Sequence, residues 1–88
     1  MTLSVVGRLD TTTAEILEDA VKSVPETVRR LRLDFSALEY VSSSGLRVIL
    51  FAHKTLAARG AILEIAGVNA MIKHIFDITG FTPILTFA

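Results

Sequence analysis

The apolar positions of this chain change period as the chain advances, from about two to about 3.6 and back, several times over. Leu3, Val5, Val6 and Leu9 predict a first strand, closed by Gly7-Arg8-Leu9-Asp10. Thr12 and Glu15 stand three apart and predict a capping box, with Thr12 as N-cap. The helix that follows runs to about Ser23, with Ile16, Leu17, Ala20, Val21 and Val24 on its apolar face, and Pro25 stops it. Val28, Leu31, Leu33 and Phe35 predict a second strand, and Arg30, Arg32 and Asp34 between them predict a wetter face. A turn over Ser36 to Val41 leads to a helix from about Ser43 to Arg59, striped by Leu46, Ile49, Leu50, Leu56 and Ala57, with Gly60 as its C′ residue. Ala61 to Ala66 is the third strand and Gly67-Val68-Asn69 its turn. A third helix spans about Ala70 to Ile78, Gly80 ends it, and Ile84 to Phe87 is the last strand.

The order β-α-β-α-β-α-β predicts an α/β fold with a largely parallel sheet and right-handed crossovers. Three helices are few for two faces, so they are expected mainly on one. Every strand-to-helix turn of such a sheet falls at the carboxyl ends of the strands, where binding sites gather. Asp10-Thr11-Thr12, Ser42-Ser43-Ser44 and Gly67-Asn69 are therefore expected along one edge. The serine turn carries the most information. Three hydroxyls followed by Gly45 stand at a helix start, where backbone N–H groups point outward and the dipole favours an anion, phosphate included. One serine suffices for a cap. The surplus predicts a phosphorylation-controlled binding site.

Composition narrows the class. Eighty-eight residues, 51% of them hydrophobic, predict one domain over residues 1–88. A net charge of zero argues against a nucleic-acid partner held by phosphate neutralisation, and Arg29, Arg30 and Arg32 read as a solvated strand start. Cysteine is absent, so no disulfide framework or thiolate site exists. The longest apolar run, Val48 to Ala52, is far too short to span a bilayer, and the N-terminus lacks the pattern of a signal peptide. A cytoplasmic protein without a membrane partner is expected. His53 and His74 have no partners at metal-ligand spacing, and Glu15, Glu18 and Asp19 read as a solvated helix face. No G-x-S-x-G elbow and no phosphate-binding Gly-rich loop occurs, so neither an enzyme nor a cofactor is expected.

Several segments, in order, resemble the STAS family of bacterial anti-sigma factor antagonists. These are Gly7-Arg8-Leu9-Asp10 with Thr13-Ala14, Leu33-Asp34-Phe35-Ser36 with Leu38 and Tyr40-Val41 (which looks like the family's strand leading to the phosphorylation site), Ser43-Ser44-Gly45-Leu46, Gly60, and Ile75-Phe76 with Gly80-Phe81. The resemblance covers nearly the whole chain and implies the STAS (SpoIIAA-like) fold. It makes Ser43 the phosphorylated hydroxyl, ahead of Ser44 and Ser42, and places Asp10, Thr11, Ser42, Ser44, Gly45, Leu46 and Arg47 at the partner surface. The family usually has an acidic residue where this chain has Ser42. It also has a strand before the one containing Val5 and a helix after the last strand. Neither is visible here, which points to a shortened chain or to a homo-oligomer that covers the bare surface.

The mechanism that the resemblance implies is partner switching. The unphosphorylated domain binds an anti-sigma factor that is also a serine kinase, phosphorylation releases it, and a PP2C-type phosphatase resets it. The alternative is a non-phosphorylated STAS subunit of a transport ATPase or stress-signalling complex.

Overall fold

A computed structural model describes all 88 residues. Four parallel strands form the main sheet in the order β1-β3-β5-β6, with β1 at Thr2–Ser4, β3 at Arg30–Asp34, β5 at Ile62–Ala66 and β6 at Thr86–Phe87. The register separates the two faces cleanly. Leu3, Leu33, Ile65 and Phe87 lie in one row, and Thr2, Arg32, Glu64 and Thr86 lie in the next, on the opposite face. The first face is apolar and covered by α1 (Thr11–Lys22), α2 (Ser43–Ala58) and α3 (Ala70–Thr79), whose Leu17, Val21, Ile49, Ala52, Leu56, Ile72 and Phe76 share one core with Leu31, Leu33, Leu63 and Ile65. The expectation of helices on one face holds.

The predicted single strand from Leu3 to Leu9 is instead two strands. After β1 the chain turns at Gly7, which sits at φ +78°, and continues as β2 (Gly7–Leu9) with a bulge between Gly7 and Arg8. The neighbouring segment bends with it. Ser36 donates its amide to the Asp34 carboxylate and Leu38 to the Phe35 carbonyl. The chain then resumes as β4 (Leu38–Val41), in the stretch that the apolar pattern leaves as a turn and the family resemblance gives as the strand leading to the serines. β2 and β4 pair in parallel as a small second sheet. β4 escapes the period-two rule because its buried residues are its two ends, Leu38 and Val41, with exposed Glu39 and Tyr40 between them. The order is thus β-β-α-β-β-α-β-α-β.

The cap of α1 also differs from expectation. Asp10, not Thr12, is the N-cap: its carboxylate accepts from the amides of Thr12 (3.1 Å) and Thr13 (3.2 Å). The capping box closes through Thr13, whose hydroxyl accepts from the Asp10 amide at 2.8 Å, and Glu15 takes no part. A carboxylate can serve two orphan amides at once, so the aspartate takes the position ahead of the threonine. Thr11 and Thr12 fall inside the first turn. α2 ends as predicted, with Gly60 at φ +70° and the paired bonds Gly60 N–H to Ala57 O (3.0 Å) and Ala61 N–H to Leu56 O (2.9 Å).

The uncovered face of the main sheet holds one charged residue that the sequence pattern passed over. Glu64 is 3% exposed, yet its row faces away from the helices. Arg30 pairs with one carboxylate oxygen and Arg32 Nη2 with the other at 3.1 Å. The arginines expected to be merely solvated are ordered over an acid in register with Arg32 on the adjacent strand, and their stems shield it. Arg29 does separate work, donating to the carbonyl of Arg59 at the end of α2 (2.9 Å). Glu64→Ala removes the buried acceptor and leaves Arg30 and Arg32, both substantially exposed, to be hydrated by water. Its expected cost is about 1 kcal/mol, measured by urea unfolding against the wild type.

Candidate functional site

Two strand-to-helix junctions meet at the carboxyl end of the small sheet. β2 runs into Asp10 and α1, and β4 runs into Ser42 and α2. The Ser42 amide donates to the Leu9 carbonyl at 2.9 Å, which fixes the two junctions side by side. The hydroxyls of Thr11 and Ser44 meet at 3.2 Å, one from the first turn of each helix. Two positive helix ends therefore share one small area, and neither helix carries an acidic residue in its first turn.

The three serines have three different assignments. Ser42 is the N-cap of α2, and its hydroxyl accepts from the Gly45 amide at 3.2 Å. Ser44 is half-buried and engaged with Thr11. Ser43 is the first helical residue, is exposed, and its hydroxyl has no hydrogen-bond partner in the protein. The amides of Ser43 and Ser44 lie in the first turn, where a helix offers them no acceptor. The capping role also accounts for the residue type at position 42. Serine and aspartate are near-equal N-caps, so a serine there keeps the helix start while removing a negative charge from its mouth.

Gly45 holds this arrangement together. It is buried, and a Cβ on it would stand 2.7 Å from the Leu9 carbonyl oxygen, 2.8 Å from Val41 Cγ2 and 2.9 Å from Leu9 Cγ. The first turn of α2 thus rests directly on the ends of β2 and β4. Gly45 was expected at the partner surface, but its place is beneath it. Leu46 is half-buried beside it, and Arg47 is exposed with no ion-pair partner.

Asp10 brings a carboxylate to this edge. Its pKa is held below the ordinary aspartate value, mainly by the hydrogen bond from the Thr13 amide and then by the Thr13 hydroxyl, the Thr12 amide and the charge of Arg8. Arg8 Nε lies 3.9 Å from Asp10, and the Arg8 guanidinium stacks over the ring of Tyr40 at 4.2 Å. This exposed pair was not singled out as part of the site. Its signal lies in the β2–β4 register, which sets Arg8 opposite Tyr40, and that register exists only once β4 is recognised as a strand.

The third junction does not join the site. Asn69 caps α3, accepting from the Ile72 amide at 2.9 Å, but its amide group donates to the carbonyl of Leu38, the first residue of β4. Ser42 lies four residues further along, roughly 13 Å at strand rise. β2 and β4 extend beyond the main sheet and carry the first two junctions past the end of β5. The candidate site is therefore built from Asp10 and Thr11 with Ser42, Ser43 and Ser44, and Gly67-Asn69 lies apart from it. No three His, Cys, Asp or Glu side chains come together as a metal-binding group, and no helix is long and apolar enough to cross a membrane.

Comparison with known proteins places this geometry in context. The STAS domain model matches residues 1–88. BtrV of Bordetella bronchiseptica, which carries the name of an anti-sigma factor antagonist, is 34% identical over 83 residues, covering 93% of this chain and 72% of that protein. The anti-sigma-B factor antagonist of Listeria monocytogenes is 32% identical over 83 residues, covering 92% of this chain and 72% of the relative. Among solved structures, a sulfate transporter family protein from Wolinella succinogenes superposes with a TM-score of 0.88 at 19% identity, over 98% of this chain and 74% of the other, a likeness of fold.

Two outcomes are expected at the site. Gly45→Ala forces backbone or core to shift and costs about 1–3 kcal/mol, read by thermal or urea unfolding. Asp10 has a lowered folded-state pKa, so the stability it contributes is present above its unfolded value and is lost as pH falls through the folded one. Asp34 and Asp77 are lowered too, chiefly by hydrogen bonds from Ser36 and Thr82 respectively, and act in the same direction. The thermal midpoint should hold near neutral pH and drop once the pH passes below the ordinary aspartate range. In Asp10→Ala the midpoint should start lower at pH 7 and fall less steeply in acid. An unchanged acid limb in that variant would contradict the assignment.

Proposed function

The chain belongs to the STAS domain family, and we propose that it is an anti-sigma factor antagonist controlled by phosphorylation of Ser43. In this reading the unphosphorylated edge formed by Asp10, Thr11, Ser42, Ser43, Ser44 and Arg47 docks on an anti-sigma factor that is also a serine kinase. The chain is then substrate and ligand, never catalyst, and needs no cofactor. The relatives' names support the general role. The assignment to Ser43 rests on one observation: of three adjacent hydroxyls, only that of Ser43 is both exposed and uncommitted.

The physical effect of a phosphate at Ser43 has two opposed parts. Within the chain, a charge of about −1.5 to −2 at the first residue of a helix is favourable, because unbonded amides and the dipole accept it. Across an interface shaped for a neutral hydroxyl, the same group brings bulk and repulsion, reinforced by the ionised Asp10 at the adjoining junction. Phosphorylation therefore acts on binding and spares the fold. A PP2C-type phosphatase would restore the binding form.

The neutral Ser42 cap favours one other reading, a STAS interaction subunit that never carries phosphate and binds constitutively. The two readings separate in one experiment. Wild type, Ser42→Ala, Ser43→Ala and Ser44→Ala are incubated with ATP and the host's anti-sigma factor, and products are followed by intact mass. A single phosphate that only Ser43→Ala abolishes is the expected result. The mimic Ser43→Asp should keep the wild-type thermal midpoint within a few degrees and lose about tenfold or more in affinity for the anti-sigma factor. Tight binding without any phosphate would establish the constitutive subunit instead.

A further inference from the structure

A groove opens directly behind the serine edge, between α1 and α2, with a volume of about 420 Å³. Its mouth is the Thr11–Ser44 hydroxyl contact. Each helix lines it with residues at i, i+3, i+4 and i+7, a stripe of two turns, roughly 10 Å long. Ala14, Val48 and Phe51 form an apolar floor. The two rims carry opposite charge. Glu15 and Glu18 stand along α1, and Arg47 stands along α2. Glu18 is partly engaged by Lys22 at 3.5 Å, whereas Glu15 and Arg47 have no ion-pair partner in the chain.

An apolar floor between an acidic and a basic rim has a defined complement. We propose that this groove receives one amphipathic helix of the anti-sigma partner. Its apolar ridge lies on Ala14, Val48 and Phe51, a cationic side chain faces Glu15 and Glu18, and an acidic side chain faces Arg47. The inference deepens the function proposed above and rests on it. Two features select this occupant. Glu15 and Arg47, one on each rim, are unpaired and of opposite sign, so they read polarity as well as charge and admit a bipolar helix in one orientation. The groove is also continuous with the serine edge, because Thr11 and Ser44 belong to both. A helix seated in it ends against Ser44, the residue next to Ser43, which gives a phosphate there something to displace.

The test exchanges the free charge on each rim, and the double change leaves the net charge of the groove unaltered. Glu15→Arg and Arg47→Glu are made singly and together, and binding to the anti-sigma factor used above is measured by calorimetry. Both positions are exposed, so circular dichroism and the thermal midpoint should match the wild type. Each single change should weaken binding, and the double change, neutral in sum, should weaken it by about tenfold or more. Exposed Glu26→Arg, in the loop after α1, should leave affinity within about twofold. Binding by the double variant within twofold of wild type would overturn the groove as a docking site while leaving the Ser43 switch standing, since phosphate incorporation is read separately. A double variant that binds like wild type while both singles fail would show that net charge alone is read, and would overturn it equally. Absence of both binding and phosphate in the wild type would remove the functional reading and the groove proposal together.

Discussion

The closest backbone approach at the candidate site is made by a residue with no side chain. Gly45 lets the first turn of α2 sit on the carbonyl of Leu9 and the side chain of Val41, at a spacing that a single added carbon would violate. From that contact the rest of the site follows. With α2 pressed onto the ends of β2 and β4, Ser42 is held at the cap, Ser44 is turned toward Thr11, and Ser43 is left facing water. The chemistry of the edge thus depends on a steric constraint one turn further on, and the glycine is best understood as the floor of the site.

The second determinant is the bend of paired strands. β1 and β3 lie in the main sheet, and their continuations β2 and β4 leave it together as a parallel pair. Because both members bend, hydrogen bonding continues through the break, with the Val5 amide on Asp34 O and the Gly7 amide on Ala37 O, both 2.9 Å. The extension lifts two helix N-termini beyond the edge at which β5 ends. Convergence of three junctions, which an idealised parallel sheet implies, becomes convergence of two. The gain is a tighter cluster, because α1 and α2 then run side by side and leave a groove between them.

Much of this was legible from the chain. Helix positions followed from the apolar stripes, the end of α2 from Gly60, the single covered face from the alternation of Leu31 and Leu33 with Arg30 and Arg32, and the serine turn from its surplus of hydroxyls. The pairing that makes a site from these parts was not legible, for identifiable reasons. β4 buries its ends and exposes its middle, so no local period marks it. Asp10 displaces Thr12 as cap because a carboxylate can accept two amides, a competition that a motif with one obvious candidate conceals. Glu64 reads as one polar interruption in an apolar strand, and its partners stand 32 and 34 residues away. Arg8 and Tyr40 become neighbours only through the pairing of β2 with β4, which no local pattern marks. Glu64 and the Arg8–Tyr40 pair are long-range relations, whereas the Asp10 cap is a local competition between neighbouring candidates.

The division of labour among the serines bears on why such an edge suits a reversible signal. A modification that destabilised the fold would be costly to carry in a chain of 88 residues, where stability is a small difference between large terms. A helix start avoids that cost, since its free amides welcome the charge that, on the proposed reading, the interface rejects. The requirement is that capping and signalling fall on different residues. Had the exposed hydroxyl also been the cap, modifying it would have exchanged one helix-stabilising bond for another and blurred the signal with a change in the fold. Here Ser42 keeps the cap, and on the proposed reading Ser43 carries the phosphate, so the two free energies are separable by construction. On that reading neutral Ser42 sharpens the separation, because α2 then carries no acidic residue at its cap or in its first turn.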